Sequence, residues 1–173
     1  MRLTSTIAAS IGILIALYQP SLGAPVKLPP AETQIIKAVD RILAHPLQPS
    51  DAADIAKIVD YSNKTDRITI TLDQAFVYIS EDDRDRLCFG FYIAGATKFR
   101  LLHPEDARNK YADVLPALRA GLVEYRAIKT ADRKYQNKRW DRVDQLDRAG
   151  QLPRWVEQTI EDKKNKSESP KTS

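Results

Sequence analysis

Leu87-Cys88-Phe89-Gly90-Phe91-Tyr92-Ile93-Ala94-Gly95-Ala96-Thr97 runs for eleven residues without a charge, in a chain whose charged residues make up 29%. Wound as a helix, this run presents apolar side chains on nearly every side, so it predicts a helix enclosed by other elements. The residues around it supply the ends. Ser80-Glu81-Asp82-Asp83 reads as a cap followed by an acidic first turn, which complements the positive end of the helix dipole. Lys98 and Arg100 lie near the other end and Pro104 stops the helix. At about 1.5 Å per residue, the uncharged core is too short for a hydrocarbon layer of roughly 30 Å. It belongs in a protein interior, and the reading of the fold follows: mainly α, a compact bundle of five to six helices around this one.

Toward the C-terminus, Leu115, Leu118, Leu122, Tyr125 and Ile128 recur at helical spacing. Pro116 is tolerable there only in a first turn, which makes Asp113 the expected cap. Trp140, Val143 and Leu146 mark a further helix ending at Gly150, a residue suited to the left-handed position past a C-terminus. A last helix begins at Pro153 and packs Trp155, Val156 and Ile160. Toward the N-terminus, Ile35, Ile36, Val39, Ile42 and Leu43 form one face of a helix from Ala31 to Ala44, ended by Pro46. Ser50 caps a second, with Ile55, Ile58 and Val59 inward.

Between these lies an ambiguous stretch near 67–79. Ile68-Thr69-Ile70-Thr71-Leu72 alternates as a strand does, and Phe76-Val77-Tyr78-Ile79 could return as its hairpin partner. Thr71 and Gln74 also fit a capping box. A lone hairpin is marginal, so the favoured reading is a short extended segment followed by a helical turn. Ala94-Gly95-Ala96-Thr97-Lys98-Phe99-Arg100 is echoed 26 residues later by Ala120-Gly121-Leu122-Val123-Glu124-Tyr125-Arg126. A glycine in mid-helix costs about 1 kcal/mol against alanine, which close helix contact offsets. Two copies fall short of a repeat array, and a helical adaptor oligomerising through these Ala-Gly faces is one reading.

The ends differ in composition. Met1-Arg2, the apolar run from Ile7 to Tyr18, Pro20, and small residues at Ser21 and Gly23 read as a cleavable export signal over 1–23. Pro-rich residues 24–30 then form an extended leader to a single helical domain at 31–160. Residues 161–173, rich in Lys and Ser, read as a disordered tail. The expected localisation is periplasmic or extracellular, with no membrane span in the mature chain. The asparagines of Asn63-Lys64-Thr65 and Asn165-Lys166-Ser167 matter only where exported chains are glycosylated.

The +4 net charge conceals a polarity. Residues 24–106 hold 10 basic and 13 acidic side chains, whereas 107–160 hold 12 basic and 7 acidic ones. The single Cys88 excludes an intramolecular disulfide or a Cys-rich zinc module, and its apolar neighbours make it a core thiol. Its pairing with His45 or His103 would be the Cys–His option. The acidic run 81–85 lacks the glycine and terminal glutamate of a calcium loop, and helix capping accounts for it. No serine elbow, metalloprotease pair or phosphate-cradling glycine loop is present. The sequence therefore assigns no catalytic residue, no cofactor and no metal. Its most suggestive surface interleaves cations with aromatics: Arg133, Lys134, Tyr135, Lys138, Arg139 and Arg142. Asp132, Asp141, Asp144 and Asp147 dilute that field, and Asp144 with Arg148 is a favourable i,i+4 pair. The expected partner is a protein or an anionic envelope component rather than nucleic acid. The functional expectation is an exported, non-catalytic helical domain acting through such contacts. A small hydrolase-like exported enzyme is the alternative.

Overall fold

The computed structural model describes residues 27–77 and 82–168. Among the described residues six α-helices form the bundle: α1 (Pro30–Ala44), α2 (Asp51–Lys64), α3 (Asp83–Leu102), α4 (Val114–Ala131), α5 (Lys138–Arg148) and α6 (Leu152–Glu168). A 3-10 turn over Pro104–Arg108 joins α3 to α4, and no strand occurs among the described residues. The expected export signal over 1–23 and leader residues 24–26 lie outside the described residues. So do Tyr78 and Ile79, the far side of the expected hairpin, and residues 169–173.

The uncharged run sits where its composition requires. α3 and α4 lie antiparallel as a middle layer, with Arg100 meeting Asp113 and Gly95 meeting Ala120. Cys88, Tyr92 and Ala96 of α3 join Leu118, Leu122 and Tyr125 of α4 in one core, closed by Trp140, Val143, Leu152 and Val156 from α5 and α6. Phe91, Ala94 and Leu101 turn the opposite way, into a second core with Ile35, Val39 and Ile42 of α1 and Ile58 of α2. α3 thus serves two cores at once, which is why its apolar residues encircle it.

The two Ala-Gly echoes have different partners. A Cβ at Gly95 would stand 2.5 Å from Ala120 Cβ and 2.9 Å from the Pro116 carbonyl, so this glycine lets α3 touch the backbone of α4. A Cβ at Gly121 would instead meet the Trp140 ring at 2.2 Å. Both glycines are thus spent on helix contacts inside the chain.

Helix ends correct several expectations. Ser50 holds the N-cap position of α2 without a side-chain hydrogen bond. Asp51 instead braces the turn before the helix, accepting the Gln48 N–H at 2.7 Å. Ser80 lies outside the described residues, and Asp82 caps α3 by accepting from Arg84 N at 2.8 Å. Asp113 stands at the N-cap of α4 but makes no cap bond, because its carboxylate is needed elsewhere. It takes the Arg100 guanidinium at 2.6 Å and the Thr71 N–H at 2.8 Å, with Asp113 fully buried and Arg100 nearly so. Tyr92 Oη donates to the Thr71 carbonyl at 2.9 Å. This network straps residues 65–73, which are neither helix nor strand, against the middle layer. Thr71 therefore caps nothing; the turn after it is held by Asp73, whose backbone carbonyl accepts from Phe76 and Val77.

Gly150 behaves as expected, at φ +68 with Gly150 N–H on the Asp147 carbonyl and Gln151 N–H on that of Leu146. These bonds form a Schellman close to α5. The expected tail is corrected over 161–168. α6 continues unbroken to Glu168, and Lys163 Nζ grips both oxygens of Asp73 at 2.6 and 2.8 Å. A charged tether thereby replaces the apolar anchor that the sequence lacks there.

Candidate functional site

The six residues singled out between 133 and 142 separate into three groups. Beyond α4, Asp132 organises a tight turn, its carboxylate accepting from Lys134 N and its carbonyl from Tyr135 N. That turn sends Tyr135 inward. The ring is buried, its hydroxyl donates to Asp85, and the Arg84 guanidinium stacks over it at 4.4 Å. Burial, reinforced by the Asp85 acceptor, drives the phenol pKa upward. Tyr135 is thus a core residue and not part of a contact surface. It goes inside because Asp85, buried near the start of α3, needs donors, and Tyr135 and Asn137 provide them. Asn137 serves twice, its Oδ1 capping α5 through the N–H groups of Arg139 and Trp140.

Arg139 is exposed but engaged, donating to the Gln74 carbonyl at 2.9 Å and so tying α5 to the turn after the 65–73 strap. The other four, Arg133, Lys134, Lys138 and Arg142, are exposed and have no ion pair among the described residues. Lys138 and Arg142 are one turn apart on the outer side of α5, away from Trp140 and Val143. The acids expected to dilute this field are spent elsewhere. Asp132 pairs with Arg84, Asp141 with Lys129, Asp144 with Arg126 and Arg148, and Asp147 with Arg126. Their charge cancels other cations, leaving the four without local neutralisation.

Among the described residues, Cys88 and the two histidines do not come together. Cys88 is completely buried in the larger core, and burial, with the nearby Glu124 and Asp85 charges, raises its thiol pKa far above the ordinary value. His45 lines a shallow hollow with Arg41, Gln48 and Asp51 beside the α1–α2 turn. His103 belongs to a different hollow, between α3 and α4, and its ring stacks on Phe99 at 4.5 Å. His103, Glu105 and Asp106 have ligand atoms within 4.8 Å of one another, but they are close sequence neighbours, His103 and Glu105 exposed and Asp106 half-buried. The acidic run is divided among protein partners: Asp82 with Arg84, Asp83 with Arg86, and Asp85 with Tyr135.

Sequence reading passed over one titratable group. Glu124 is buried in α4, accepts from the backbone N–H of Leu47, and leaves Oε2 without a partner. Its carboxyl is pushed up to about 7, first by burial and then by the charge of Asp51. Leu47, which it holds, adopts φ +65 in the α1–α2 turn, a left-handed conformation uncommon for a leucine. A Glu amid the apolar spacing of α4 was the available signal.

No helix among the described residues is long and apolar enough to cross a membrane. No protein family, curated protein or solved structure matches the chain.

Proposed function

We propose that this chain is a non-catalytic helical domain, exported by its N-terminal apolar segment, that binds an anionic envelope component through Arg133, Lys134, Lys138 and Arg142. The observation that carries this reading is the pairing pattern. Four exposed cations, two on the turn after α4 and two on one face of α5, make no ion pair among the described residues, while the neighbouring aspartates are committed to other arginines and lysines. A cluster of unneutralised charge costs some stability through self-repulsion, and an acidic partner would relieve it. The inert burial of Cys88 and the separate hollows of His45 and His103 agree with a binding role rather than a catalytic one.

The test is calorimetric titration of the full chain with poly-L-glutamate at two salt concentrations. Reversing Lys134, Lys138 and Arg142 together to Glu should weaken binding by about tenfold or more and flatten its salt dependence. Reversing Lys27, Lys37 and Lys57, three exposed lysines before and on α1 and on α2 and an equal change in net charge, should change it by less than about twofold. Equal losses in both variants would reduce the effect to net charge and remove the site.

A further inference from the structure

A second, chemically different hollow lies on the opposite end of α4 from Lys129. It is a groove of about 330 Å³ between α3 and α4, reached by the C-terminal turn of α1. Its floor is the Gly95–Ala120 contact, where the helices approach too closely for any side chain to fill the space. Phe99, Leu102, Val123 and Leu43 form walls that are only half-buried, so the bundle leaves this apolar surface open. No carboxylate lines the groove, whereas Lys98, His103 and Arg119 all do.

The rim cations differ in commitment. Lys98 is held by Asp40 at 2.5 Å, and His103 meets Glu105 at 3.1 Å. Arg119 is more than half exposed and stands 3.6 Å from Asp147, whose other oxygen is already taken by Arg126 at 2.7 Å. Arg119, Arg126 and Arg148 share two carboxylates, those of Asp144 and Asp147, so the cluster carries one positive charge in excess. Arg119 is the member on the groove.

From this geometry we infer that the groove binds a single-chain carboxylate of the fatty-acid type, its hydrocarbon on the Gly95–Ala120 floor and its head on Arg119. The volume lies at the small end of ligand sites, which suits one chain and excludes a two-chain lipid. One surplus charge matches a monoanion, and a guanidinium offers the planar fork that receives a carboxylate through two bonds. This site is independent of the cationic surface on α5 and stands whether or not that surface binds anything.

Titration of the isotopically labelled full chain with decanoate, below its micellar range, tests this by NMR. Amide signals of Gly95, Phe99 and Val123 should shift saturably. Arg119→Glu, an exposed change that leaves the core untouched, should weaken binding by about tenfold or more. Val123→Phe, which fills the groove, should abolish it, with circular dichroism reporting that the helices persist. Decyltrimethylammonium, with the same chain and opposite head, should leave these amides unmoved. The inference is overturned if the cationic amphiphile shifts the same amides equally or if decanoate shifts none of them. Wild-type affinity in Arg119→Glu would overturn it too, as would a self-associated chain whose second copy covers the groove.

Discussion

Glu124 shows how one buried carboxyl couples the stability of this protein to pH. Unfolded, the group titrates near 4.5, and folded it titrates at about 7. Between those values the folded state binds the extra proton, so stability must fall as pH rises through that window. The full contribution is present below about 4.5 and is lost above 7, an effect on the order of 3 kcal/mol. Glu124→Gln keeps an acceptor for Leu47 N–H and removes the charge facing Asp51. Thermal unfolding should show the wild-type midpoint dropping between pH 5 and pH 8 while the glutamine variant changes less. The variant should be the more stable protein at pH 8. An identical pH slope in both proteins would move the origin of the dependence to another group.

At the scale of the element, glycine placement decides how α3 and α4 meet. Alanine at Gly95 would gain about 1 kcal/mol of helix propensity. Its Cβ would also press on Ala120 Cβ and the Pro116 carbonyl, and backbone atoms do not swing away as a flexible side chain does. Overpacking of this kind costs about 1–3 kcal/mol, so Gly95→Ala should destabilise on balance, measured as a lower denaturant midpoint. At Gly90 the obstacle is Ile55 Cγ2 at 2.6 Å, on a β-branched side chain whose χ1 the α2 helix all but fixes, so Gly90→Ala should also destabilise by about 1–3 kcal/mol. The helices were legible because their spacing, their prolines and Gly150 are local signals. Ser50 misled because its own backbone is already helical, and Asp113 because a cap depends on what else needs the side chain. Asp113 is claimed by Arg100, 13 residues away, and by Thr71, 42 residues away, and neither claim is written near position 113. Tyr135 misled for the same reason, since its partner Asp85 lies 50 residues upstream. The groove left no sequence signal: Phe99, Leu102 and Val123 share the spacing of core residues, and only the reach of α1 leaves them half-covered.

Across the whole molecule, three layers stand in the order α1–α2, α3–α4, α5–α6, with separate cores on either side of the middle one. That arrangement imposes a chronology on self-assembly. Each flanking pair has an apolar surface to settle on only after the middle pair exists, and that pair closes a short connection at low entropic cost. The α3–α4 hairpin should therefore be the nucleus of the folding transition state. In stopped-flow kinetics, Leu118→Ala should chiefly slow refolding, with about 0.5–0.8 of its energetic effect expressed in the barrier. Val39→Ala and Val156→Ala should chiefly accelerate unfolding, with fractions of about 0–0.3. If Val39→Ala slowed refolding as much as Leu118→Ala, the flank would be part of the nucleus. A helix apolar on every side is thus the clock of this protein as well as its centre: until it is paired, neither half of the chain has anywhere to go.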